Sequence, residues 1–199
     1  MSGTYPTSPV FNTLGFSSEQ KTKTSTTDSG KMFSTQVDGQ RWKFSARYSP
    51  MGRTTFAPVY AFIVKQRGQK ETFQIVPPVI SSARGNEQGT VAVNGSHSAG
   101  DTTITIDGHH NNSNGAFLSG DLIKFGNHSK VYMILEDVNP SGNASTITIE
   151  PPLRENLADD TTITYDNVPF TVRLTNDIQQ FNTDDIDLYK FEVDFIEAL

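Results

Sequence analysis

Residues 41–48 read Arg41-Trp42-Lys43-Phe44-Ser45-Ala46-Arg47-Tyr48, and this stretch decides the fold class. Trp42, Phe44, Ala46 and Tyr48 fall on one side of an extended chain, and Arg41, Lys43, Ser45 and Arg47 on the other, the period of two that marks a half-buried strand. Just before it, Asp38-Gly39 predicts a tight hairpin turn, because Gly accepts positive φ. After it, Ser49-Pro50-Met51-Gly52 ends the strand.

Thr54 to Gly68 predicts the single helix, with its body at about 55–67. Thr54 or Thr55 can cap its start, Pro58 fits a first turn with no donors to lose, and Gly68 stands where a left-handed cap belongs. Phe56, Val59, Tyr60 and Ile63 form one apolar stripe, so the helix should lie on a sheet. Glu71 to Val76 reads as another strand, stopped by Pro77-Pro78.

From Asn86 to Asp166 the texture changes. Short alternating strands are predicted at 90–93, 102–106, 122–125, 130–135, 146–150 and 161–165, joined by Gly-, Asn-, Ser- and Asp-rich connectors. Six such strands suggest a small antiparallel barrel that hides its own edges. Residues 168–199 return to the first texture: Phe170, Val172 and Leu174 share one strand face, and Phe191, Val193 and Phe195 another, with an acidic loop at 182–187 between them. A regular last strand is most simply the completing strand of a sheet begun earlier. The expected organisation is therefore a discontinuous domain made from residues 31–85 and 167–199, with a barrel inserted at 86–166 and an extended arm at 1–30. The arm is rich in Ser, Thr, Gly and Pro but carries Tyr5, Val10, Phe11, Leu14 and Phe16. These apolar residues suit an arm lying on a neighbouring subunit or, equally, on its own domain.

The chain has 199 residues and a formal charge of -6, unevenly placed. Residues 1–75 hold ten Lys and Arg against four acids, +6, which leaves -12 for the remainder. Opposite signs on one chain favour head-to-tail contact between identical subunits. The basic residues are scattered singly, without a dense run or a nucleic-acid motif, so DNA binding is the lesser reading. Hydrophobic residues at 35% drive folding but are few for an enzyme with a deep, dry core. There is no cysteine, so neither disulfides nor thiolate metal sites form. The amino terminus lacks a secretory pattern and no apolar run reaches membrane-spanning length, so the expectation is a protein soluble in the cytoplasm where it is made.

The spacing carries no catalytic or metal-binding pattern. His97, His109, His110 and His128 lie near Asp101, Asp107 and Asp121, but no His-x-His or His-x-x-x-His spacing places two imidazoles on one metal. Gly-x-Ser-x-Gly and phosphate-binding glycine loops are absent, and pairs such as Asp159-Asp160 and Asp184-Asp185 suit solvated turns. No catalytic, cofactor or metal residue is assigned, and the chain is read as a non-enzyme. Phe11, Leu14, Phe16, Arg53, Arg67, Asp184 and Asp185 are the candidate oligomer-interface residues.

Trp42-Lys43-Phe44-Ser45-Ala46, Thr55-Phe56-Ala57-Pro58 and Thr72-Phe73-Gln74-Ile75 together resemble the opening of distal tail and baseplate-hub-associated structural proteins of tailed bacteriophages. The run Gly120-Asp121-Leu122-Ile123-Lys124-Phe125-Gly126, with 130–134 and 147–154, is similar to a barrel module of such virion proteins. The resemblance implies a tail-tube-like split β-barrel with one packed helix and an inserted small β-barrel. It implies a hexameric ring around a DNA channel, with the DNA passing through unbound. It also implies neighbours in the tail tube and the baseplate hub or wedge, and a place in the virion. The competing functional readings are a carbohydrate-binding or receptor-adhesion module using the 109–115 loop, and a cell-wall hydrolase built on a carboxylate pair.

Overall fold

A computed structural model describes residues 2–110, 114–183 and 187–199. The chain is mainly β with one helix among the described residues, and it divides into two compact units. One is built from residues 1–73 and 172–198, the other from 74–171 with Leu199.

The first unit carries most of a six-stranded sheet. Its strands are β1 (Thr13–Thr26), β2 (Met32–Arg47), β3 (Phe73–Ile75), β10 (Phe170–Leu174), β11 (Phe181–Thr183) and β12 (Tyr189–Glu197). The order is β1-β2-β12-β10-β3, with β11 pairing β12. The pairs β1–β2, β2–β12, β12–β10 and β12–β11 are antiparallel. The last strand is central: Phe195 stands opposite Phe44 of β2 on one edge and opposite Leu174 of β10 on the other. The alternation at 41–48 holds, with Trp42, Phe44, Ala46 and Tyr48 all buried. With Phe191, Val193 and Phe195 they make one apolar face. Helix α1 (Arg53–Lys65) buries Phe56, Val59 and Ile63. The Phe56 ring lies 4.7 Å from Tyr189 and 5.6 Å from Phe191, so the predicted stripe faces the carboxyl-terminal strand.

Three local expectations are corrected. Residues 13–26, read as part of an extended arm, form the longest partner of β2, with Thr13 opposite Arg47 and Thr26 opposite Met32. Asp38-Gly39 is a bulge and not a turn. Pairing runs from Glu19↔Arg41 directly to Lys21↔Val37, so three β2 residues face one of β1, and Gly39 takes φ 114 to absorb the excess. The chain reverses instead at Thr27–Lys31, where the Thr27 N–H donates to the Lys31 carbonyl at 3.0 Å and Gly30 has φ 81. The helix begins at Arg53 with Gly52 in the cap position, so there is no side-chain cap, glycine having no side chain; the carbonyl of Gly52 accepts the N–H groups of Thr55 and Phe56 at 3.1 Å. Pro58 therefore sits in the second turn, on the exposed side.

The second unit is a small barrel. Its strands are β4 (Ala92–Val93), β5 (Thr103–Asp107), β6 (Leu122–Phe125), β7 (Val131–Ile134), β8 (Ala144–Glu150) and β9 (Ile163–Thr164), in the order β4-β5-β8-β7-β6-β9. A bridge between Ala92 and Thr162 joins the two ends of that order, and the Ile163 N–H donates to the Val91 carbonyl at 3.1 Å, so the sheet nearly closes on itself. All six segments predicted from alternation carry strands here, because each supplies buried residues to one core: Val93, Ile104, Ile106, Phe125, Tyr132, Ile147 and Ile149 among them.

Candidate functional site

Two features stand apart from ordinary packing, one in each unit. In the sheet unit, β1 and β2 continue past the bulge as a two-stranded hairpin whose residues 20–36 are all exposed. Met32 and Phe33 are 68% and 52% exposed there, and the Lys31 ammonium lies 5.1 Å over the Phe33 ring. Gln36 donates to Gln20 across the pair at 2.7 Å. An isolated pair of strands is marginal in water, because neither face gains burial. Strand β1 also ends the sheet order, so its outer backbone row has no strand partner within the sheet.

Of the candidate interface residues, Phe11, Leu14 and Phe16 are half-buried along the near part of this strand and its approach. Phe11 lies 5.8 Å from Tyr5 and 5.2 Å from Tyr48, and Phe16 stacks on Trp42 at 4.8 Å. Phe11 and Phe16 thus rest partly on their own unit, as does Tyr5, whose hydroxyl is 2.9 Å from that of Tyr48. Burial pushes the Tyr48 hydroxyl up to about 12. Arg53 and Arg67 are both exposed, at opposite ends of α1 and so roughly 20 Å apart at a rise of about 1.5 Å per residue. Asp184 and Asp185 lie outside the described residues.

In the barrel unit, a carboxylate, an imidazole and a hydroxyl are linked in series. Glu87 Oε2 is 2.6 Å from His109 Nδ1, and His109 Nε2 is 2.7 Å from Ser145 Oγ. The His109 and Glu87 side chains are 0% and 1% exposed. The other oxygen of Glu87 accepts three backbone N–H groups, from Gln88 at 3.0 Å, Gly89 at 2.6 Å and His110 at 2.9 Å. Burial would raise the carboxyl of Glu87, but the bonds from His110, His109, Gly89 and Gln88 outweigh it and hold the group below its ordinary value. With the carboxylate ionised, Nδ1–H donates to it, and in the neutral ring Nε2 accepts the Ser145 hydroxyl hydrogen. The series resembles a nucleophilic triad in connectivity, yet the sealed imidazole leaves no approach for a substrate, and its chemistry is that of a clamp.

The other imidazoles take separate partners. His97 Nε2 lies 3.0 Å from Thr105 Oγ1, and His128 bridges Asn127 and Tyr132 at 2.7 Å each. His109, expected in a polar loop, is instead buried, and spacing could not reveal it because its partners stand 22 residues before and 36 residues after it. Asp121 does comparable work, accepting the N–H groups of Arg84 at 3.0 Å and Leu118 at 2.8 Å.

A sheet whose order ends at β1 with a projecting hairpin, together with a polar-clamped, nearly closed barrel, defines a mainly β protein. Residues 79–168, within the barrel unit, match the family model described as the B domain of the distal tail protein pb9. The chain is thereby similar to a bacteriophage distal tail protein, with a structural role in the phage tail and a place in the virion. No curated protein matches the chain.

Proposed function

We propose that the chain forms a six-membered ring in the phage tail, linking the tail tube to baseplate or tail-tip proteins while DNA passes through the lumen without specific binding. The observation that carries this reading is the hairpin: residues 20–36 are exposed on both faces, and β1 ends its sheet. A copy of the same chain is the simplest partner, since a closed ring finishes every bare edge with an identical contact. Charge agrees, because the hairpin carries Lys21, Lys23 and Lys31 against Asp28, whereas residues 177–199 hold seven acids against Lys190 alone. Phe11, Leu14, Phe16, Arg53, Arg67, Asp184 and Asp185 are proposed to lie along that contact, with tube and hub or wedge proteins meeting the remaining surfaces.

The test is a variant in which residues 21–37 are replaced by Asn-Gly, which joins β1 to β2 by a short turn near the bulge. The expected outcome is an unchanged unfolding temperature with loss of the oligomer in sedimentation velocity. A shortened protein that still assembles would refute the hairpin's role.

A further inference from the structure

The Glu87 clamp shapes a cavity whose lining has a specific chemistry. The segment from 83 to 91 is tied to the β9 region at both ends, by the Ala83 N–H to the Tyr165 carbonyl at 2.9 Å and the Ile163 N–H to the Val91 carbonyl at 3.1 Å. Between those ties its backbone bonds elsewhere, and one side-chain bond, from the Tyr165 hydroxyl to the Gly89 carbonyl at 2.6 Å, still links the two segments. The Asn86 and Glu87 N–H groups donate to the carbonyls of Gly115 and Ala116, and the Glu87 side chain holds Gln88, Gly89 and His110 toward His109. A slot of about 520 Å³ lies between residues 83–90 and 163–166. That volume falls within the range of small-molecule sites.

Gln88, Thr90, Thr164 and Asp166 line the slot and are exposed, and Tyr165 is half-exposed. The Tyr165 hydroxyl donates to the Gly89 carbonyl at 2.6 Å, and its ring meets the Phe117 ring edge-on at 5.3 Å, so the ring is fixed. Gly85 and Gly89 bring bare backbone to the wall. An amide, two hydroxyls, a carboxylate and a fixed aromatic ring offer donors, acceptors and an apolar plate within one small space. That combination complements a pyranose, with its equatorial hydroxyls and C–H face.

Charge narrows the class further. Residues 74–171 hold four Lys and Arg (Arg84, Lys124, Lys130, Arg154) against eleven acids, a balance of -7, and none of the four cations lines the slot. Anionic sugars would be repelled. We propose that this slot is a binding site for a neutral saccharide of one to two rings, with Glu87, His109 and Ser145 acting as positioning residues that hold its wall in place before the ligand arrives. The site does not depend on ring formation.

The test uses the full chain on a printed array of neutral glycans and their acidic counterparts, lactose and sialyllactose among them, followed by calorimetric titration of the best binder. Thr164→Trp fills the slot from an exposed position, and Gln88→Ala removes one amide from its rim. Binding of a neutral glycan that falls at least tenfold in both variants, at unchanged unfolding temperature, supports the site. No neutral binder, stronger binding of the acidic member of a pair, or full affinity in Thr164→Trp would overturn it.

Discussion

Replacing Glu87 by alanine should destabilise the barrel unit markedly. The carboxylate accepts four donors at 2.6 to 3.0 Å, three from backbone N–H groups and one from the His109 ring. Alanine leaves Nδ1 of the sealed His109 ring and the part-buried Gly89 N–H without a partner, whereas water can reach the exposed N–H groups of Gln88 and His110. Losing a hydrogen bond to a charged acceptor costs about 1.5–3 kcal/mol, and each orphaned donor adds about 1 kcal/mol or more where water does not reach it. Allowing for water entering the space left behind, a loss of about 4 kcal/mol is expected. For a unit of this size that lowers the unfolding temperature by roughly 15–30 °C. Glu87→Gln keeps the shape, since its amide oxygen can accept the backbone donors and its NH2 can face Nδ1 while the ring proton moves to Nε2. It should cost about 1.5 kcal/mol through the lost charge. Ser145→Ala, at the far end of the series, should cost about 1 kcal/mol. Near-UV circular dichroism and calorimetry of the full chain would rank the three. Glu87→Ala within about 1 kcal/mol of the parent, or a Gln variant as damaged as the Ala variant, would refute the clamp.

Acid should weaken the barrel in two stages. His128 is pushed below its ordinary 6.5 by burial, with Lys124, Arg154 and Lys130 reinforcing this and Glu155 opposing it. The unfolded ring therefore takes its proton first, so stability is complete above pH 6.5 and falls as pH drops toward the folded value. Glu87 is held below 4.5, so its contribution is complete above that pH and is lost as pH falls through its folded value. A pH series of unfolding temperatures should lose the upper stage in His128→Gln and the lower one in Glu87→Gln; unchanged profiles in both would contradict the assignment. Gly89→Ala should destabilise the barrel by about 3 kcal/mol or prevent its folding, since an added Cβ would strike the Gly108 carbonyl oxygen and sit 2.7 Å from the His110 nitrogen. Gly95→Ala, with open space around the Cβ but φ 83, should cost only about 1 kcal/mol. Equal unfolding temperatures for these two variants would count against the close approach at Gly89.

What the sequence disclosed follows from where burial is one-sided. Trp42, Phe44 and Tyr48 alternate with charges because one face of β2 meets a core, and the same holds for Phe191, Val193 and Phe195. Strand β1 was illegible for the opposite reason. Beyond Phe16 it presents Ser, Thr, Lys, Glu and Gln to water on both faces, so no period develops. Asp38-Gly39 misled because positive φ serves a bulge as well as a turn, and only the pairing partner tells them apart. The clamp was hidden altogether: Glu87, His109 and Ser145 meet through the barrel's closure, which brings together residues with no regular spacing.

The central claim is that copies of this chain complete one another's sheet edges, and native mass spectrometry of the purified full chain tests it most directly. A six-membered ring would appear at about 131 kDa, six times the 21.9 kDa of one chain, and would revert to single chains when residues 21–37 are replaced by Asn-Gly. An intact chain that stays at 21.9 kDa at micromolar concentration would contradict the claim.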